Sequence, residues 1–80
     1  MEIDIILAEL TPIFRKELDN DSINLTREIT ANDIEEWDSL THIQLVVALE
    51  KHFKIKFTSS EIQGFKNVGE ICDAIAYKVS

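Results

Sequence analysis

Ser39 is the residue of this chain best placed for chemistry, with Asp38 before it, Leu40 after it and His42 three positions on. A serine and a histidine at i and i+3 can meet on one helix face, the first requirement of a nucleophile and its base. The other requirements fail. Asp38 adjoins the serine and cannot also orient the imidazole from behind, and no Gly-rich turn offers an oxyanion hole. Metal chemistry fares no better. An EF-hand loop begun at Asp19-Asn20-Asp21 puts Ile23 at the fifth position, Asn24 where Gly is needed and Thr30 where Glu should be. His42 and His52 have no cysteine near them, so a zinc site is unsupported and no metal ligand is assigned.

An Asp-Ser-Leu triplet before an apolar run is, by itself, only a helix cap. Its setting gives it a further meaning. Ser39 stands at the head of the most apolar helical stretch and directly after the longest loop, so its hydroxyl should be exposed. A phosphodiester there would meet free backbone N–H groups and the positive end of the helix dipole. From Glu28 to Glu50 the chain carries six carboxylates and no Lys or Arg, which is either a solvated face or a surface that steers basic partners.

The elements that position this serine can be read from hydrophobic spacing. Ile3, Ile6, Leu7, Leu10, Ile13, Phe14 and Leu18 mark a first amphipathic helix. Pro12 interrupts it, so the helix either kinks there, the reading favoured here, or restarts with Thr11 as cap and Pro12 at its first position. From Asp19 to Trp37 follows a connection of 19 residues, long enough to suggest a function. Ile23, Leu25, Ile29 and Ile34 should pin it to the bundle, and Thr30 with Asp33 could cap a brief turn. A second helix over Leu40–Phe53 shows a wide apolar face of Leu40, Ile43, Val46, Val47, Leu49 and Phe53, capped by Asp38 or Ser39. Thr58 and Glu61 form a capping-box pattern for a short third helix carrying Ile62 and Phe65 and ended by Gly64. Asn67 and Glu70 repeat the pattern before a last helix with Val68, Ile71, Ile75 and Val79 inward and Ala74 near them. The expected fold is all-α: a single domain over residues 1–80, built as a small four-helix bundle of three longer helices and one short one.

Composition narrows the function further. Fifteen acidic against eight basic residues leave a formal charge of −7, which argues against nucleic acid and against an anionic membrane surface as partner. Basic patches on other proteins suit it better. A single cysteine, Cys72, makes no internal disulfide and reads as a small core residue. Acid at the N-terminus where a signal peptide has base, and a longest apolar run of only five residues, Leu45 to Leu49, point to a cytoplasmic monomer with no membrane insertion.

A first helix, a long loop, Asp38-Ser39-Leu40 at the head of a second helix, then Ile43, Leu45-Val46, Ala48-Leu49-Glu50 and Phe53, a short helix and a last helix together resemble the acyl carrier protein family over essentially the whole chain. Trp37 before that triplet resembles the stand-alone W-D-S-L carriers of specialised biosynthesis. The resemblance implies that Ser39 receives 4′-phosphopantetheine from coenzyme A through a Mg²⁺-dependent transferase. It implies that Asp38 helps that transferase engage, and that Leu40 both packs inward and contacts partners. Cargo, acyl or aminoacyl, would ride as a thioester on the arm, so the chain itself is not an enzyme. The other partners implied are a loading ligase and a downstream acyltransferase or synthase, met by Glu35, Glu36, Gln44, Val47 and Glu50. Gln44 and Lys51 stand at positions where fatty-acid carriers are often acidic, and Thr41 and His42 are neutral, which points to a dedicated pathway. Lys51, Lys54 and Lys56 read most simply as a solvated helix end. Trp37 either shields the attachment site or anchors the loop. The rival reading is an unmodified acidic helical adaptor.

Overall fold

The computed structural model describes residues 2–79 and shows four helices with no strand among them: α1 (Ile3–Glu17), α2 (Ser39–Phe53), α3 (Ser59–Gly64) and α4 (Val68–Val79). α1 is the spine, packed against both α2 and α4. Its buried residues Ile6, Leu10 and Phe14 recur every fourth position and stack into one inward line. Pro12 does not divide the helix. Thr11 caps nothing; its hydroxyl donates to the Leu7 carbonyl at 3.0 Å inside a continuous α1. Pro12 and Ala8 lie on the exposed side, where water can satisfy the Ala8 carbonyl that lacks an N–H partner.

The core joins these residues to Leu45, Val46 and Leu49 of α2 and to Val68, Ile71, Cys72 and Ile75 of α4. Val79 and Ala74 are half-buried at its edge, and Phe53 is packed against it without being enclosed. Cys72 is a core residue, fully enclosed, and burial pushes its thiol up to about 11.

The long loop between α1 and α2 holds to the bundle by two means. Ile23, Leu25 and Ile34 are buried and Ile29 half-buried, as the anchors were expected to be. Polar clamps complete the attachment. Arg15 Nε donates to the Ile23 carbonyl at 2.7 Å, and the first amides of α4 donate to loop carbonyls, Val68 to Ile29 at 2.9 Å and Gly69 to Arg27 at 2.8 Å. A Cβ on Gly69 would stand 3.1 Å from the Arg27 oxygen, so this close approach uses the missing side chain. Thr30 and Asp33 close a turn in which the Asp33 carboxylate accepts from the Thr30 amide at 2.9 Å.

The helix ends meet one expectation in full and correct others. The Thr58–Glu61 capping box is present in both halves. Its partner at α4 is only half formed: Glu70 N–H donates to Asn67 Oδ1, but the Glu70 carboxylate accepts from the Lys66 amide rather than that of Asn67. Phe65 lies just beyond α3, in extended backbone. α2 ends at Lys54, whose φ of 58° is left-handed, a conformation that costs a non-glycine residue about 1 kcal/mol.

Candidate functional site

Asp38, not Ser39, caps α2, because its backbone is extended and its carboxylate accepts from both the Leu40 and Thr41 amides at 3.0 Å. Thr41 returns the bond: its Oγ1 accepts from the Asp38 amide at 2.8 Å and donates to the Glu36 carbonyl at 2.7 Å. The Thr41 amide does most to hold the Asp38 carboxyl below its ordinary value; desolvation opposes it, and the Thr41 hydroxyl and the Leu40 amide add to the lowering. One expectation falls here. The amides behind Ser39 are not free for a phosphodiester, since Asp38 has taken them and adds its own negative charge.

Ser39 is the first residue of α2, exposed, and its hydroxyl has no protein partner among the described residues. Beside it opens a groove of about 580 Å³, floored by Trp37, His42, Ile62 and Phe65 and edged by Ile43 and Gln63. The α3 side of this groove was not foreseen from the sequence.

His42 is the hinge of that floor. Trp37 Nε1 donates to its Nδ1 at 3.0 Å, and an indole N–H can only donate. The ring hydrogen therefore sits on Nε2, which donates to the Ile62 carbonyl at 2.9 Å. Both nitrogens are occupied, so no lone pair is left to take a proton from Ser39. A hydrolytic Ser39–His42 pair is excluded on this geometry. Trp37 is 5% exposed and meets Phe14 edge to face at 5.2 Å while stacking on His42. It is the loop anchor, and it also forms the groove floor beneath the serine.

The remaining site residues fall into two groups. Leu40 is 72% exposed, Ile43 52% and Val47 43%. Leu40 thus does not pack inward, contrary to expectation; α2 is apolar on nearly every side and turns Leu45, Val46 and Leu49 to the core instead. Gln44 lies exposed next to this stripe, and Glu35 is exposed in the loop. Glu36 is exposed too, with Oε1 accepting from Asn20 Nδ2 at 3.2 Å. Glu50 is half-buried and turned away, its Oε2 accepting from the Phe57 amide at 2.8 Å. No group of His, Cys, Asp and Glu among the described residues could hold a metal ion, and no helix among them is long and apolar enough to cross a membrane.

The class defined here is a small helical bundle that presents an exposed, unpartnered serine at the head of α2 beside an open groove, with no base among the described residues placed to activate it. Comparison with known proteins gives that class its name. Residues 5–75 match the family model described as "Phosphopantetheine attachment site". The solution NMR structure of holo acyl carrier protein from Geobacter metallireducens superposes with a TM-score of 0.86 at 56% identity, covering 91% of this chain and 84% of that one. No curated protein matched. The chain belongs to the acyl carrier protein family: it is a phosphopantetheine-bearing carrier rather than an enzyme, and the unmodified adaptor gives way to it.

Proposed function

We propose that Ser39 is the residue that carries 4′-phosphopantetheine, and that the chain, as a single carrier domain, tethers acyl or aminoacyl intermediates for a dedicated cytoplasmic pathway. The observation that carries the assignment is the exposed Ser39 hydroxyl, without a protein partner, beside the groove. In the transfer, Ser39 Oγ bonds to the phosphorus that bears pantetheine, and the phosphoanhydride bond to the nucleotide of coenzyme A breaks. The hydroxyl proton leaves to a base of the transferase, since His42 has none to offer. Asp38 contributes by holding the first turn of α2 rigid, so that Oγ is presented in one place, and by offering a carboxylate beside it to the transferase and its Mg²⁺. When bound, the arm supplies the thiol for a thioester, and the chain's own task is to present it.

Glu35, Glu36 and the stripe of Leu40, Ile43, Gln44 and Val47 form the surface that partners read, an acidic end at Ser39 leading into apolar contact. Glu50 serves it only indirectly, by tying the end of α2 to the segment before α3. The dedicated pathway is supported by Trp37 ahead of the motif and by Gln44 and Lys51 on the exposed side of α2; Thr41 and His42 are committed to the fold. The transferase, a loading ligase and an acyltransferase or synthase are the partners.

Incubating the apo protein with coenzyme A and a phosphopantetheinyl transferase should add the mass of one phosphopantetheine, and Ser39→Ala should abolish the gain. No gain with several transferases of different specificity, or a gain that survives Ser39→Ala, refutes the assignment.

A further inference from the structure

The exposed side of α2 changes sign along its length. Glu35, Glu36 and Asp38 surround its head, Leu40, Ile43 and Val47 follow as an apolar stripe, and Lys51 extends that stripe by one more turn. At 1.5 Å per residue the stripe from Leu40 to Lys51 is ~16 Å long. It leads into a groove of about 340 Å³ between α1 and α2, floored by Ile13, Val47 and Ala48 and flanked by Lys16 and Lys51. Val47 belongs to both surfaces, so a partner seated along the stripe from Ser39 reaches this groove without a gap.

The cations there are uncommitted. Neither Lys16 nor Lys51 pairs with a carboxylate among the described residues, whereas the neighbouring His52 is bonded to Glu9 at 2.8 Å. Glu17 is the one carboxylate among the groove's lining residues. Helix dipoles favour lysines near the C-termini of α1 and α2, which accounts for their tolerance there. It does not account for both standing over the same apolar floor in a chain whose formal charge is −7.

We propose that this groove is a second contact for the enzyme that charges the carrier, and that it takes an acidic segment of that enzyme. The inference rests on the carrier reading above. The enzyme's basic surface meets Glu35 and Glu36, its acidic segment meets Lys16 and Lys51, and the two ends together set which way round it docks. Docking in the opposite sense would set acid on acid at one end and base on base at the other.

The test starts from holo protein verified by intact mass, so transferase effects are already removed. It is incubated with ATP in an extract of its own host, and the thioester-charged fraction is followed by intact-mass spectrometry at low and raised salt. Lys16→Glu/Lys51→Glu should slow charging by about threefold to tenfold at low salt, with less effect at high salt, because opposed charges act mainly on encounter. Lys16→Gln/Lys51→Gln should fall between it and the unaltered protein, and Glu35→Lys/Glu36→Lys should slow charging by a similar factor. All these positions are exposed, and far-UV circular dichroism checks that the helices remain. Charging at the unaltered rate, or faster, in Lys16→Glu/Lys51→Glu overturns the proposal, whatever the rate of Glu35→Lys/Glu36→Lys. Failure of the carrier reading is distinct, since it shows at the first step as no holo form.

Discussion

Trp37→Phe tests whether the ground under Ser39 is fastened as the geometry says. The substitution keeps an aromatic ring against Phe14, 5.2 Å away at present, but removes the one donor to His42 Nδ1 among the described residues. Losing that hydrogen bond and leaving the acceptor in a half-buried position costs about 1 kcal/mol. The smaller ring forfeits roughly 40 Å² of buried surface, worth ~1 kcal/mol at ~25 cal/mol per Å². The sum is ~2 kcal/mol, out of the roughly 4–12 kcal/mol that a chain of 80 residues has in total. For a domain of this size the midpoint of thermal unfolding should fall by roughly 8–16 °C. Urea and thermal unfolding followed by far-UV circular dichroism measure it directly. A double-mutant cycle with His42→Phe separates the hydrogen bond from the packing, and its coupling should be ~1 kcal/mol. A loss below ~0.5 kcal/mol for Trp37→Phe, or no coupling in the cycle, refutes the Trp37–His42–Ile62 connection.

Leu49→Ala should cost ~2–5 kcal/mol in urea unfolding, because Leu49 is wholly enclosed. Phe53→Ala should cost clearly less, since Phe53 only borders the core; equal losses would mean the rotation of α2 is wrong. The acid limb of stability should depend on Asp38 and Glu61. The Thr41 amide lowers the first; the Thr58 amide and then Lys78 lower the second. Groups lowered on folding stabilise fully above their ordinary values of 3.8 and 4.5, and that stabilisation is lost as pH falls through the lower folded values. Asp38→Asn/Glu61→Gln should therefore flatten the decline of the thermal midpoint below pH ~4.5, and an unchanged slope would contradict it.

Local chemistry made much of this protein readable in advance. A cap at Asp38 or Ser39, the Thr58–Glu61 box and the loop anchors Ile23, Leu25 and Ile34 depend on residue type and short spacing, which a sequence displays; the extended backbone at Asp38 then decides between the two caps. What escaped depends on rotation and on distant partners. α2 has apolar side chains on nearly all sides, so periodicity could not say that Leu40, Ile43 and Val47 would face out while Leu45, Val46 and Leu49 face in. His42 finds its second partner in Ile62, 20 residues along the chain. Glu50 reaches forward seven to the Phe57 amide, and the hydrogen bond has no counterpart in helical spacing. Phe57 itself, buried in the segment before α3, lies outside any periodic run. The serine was visible; the groove beside it was not.

Cys72 bears on how safely cargo can be held. A thioester is open to exchange with any thiolate that reaches it, and a thiol on the chain itself would sit at high effective concentration beside the arm. Migration to such a sulfur would strand the load where no processing enzyme could collect it. Cys72, enclosed in the core with its thiol protonated up to about 11, closes that route both sterically and chemically. The same seclusion keeps the arm from being captured as an internal disulfide with Cys72, the chain's one cysteine.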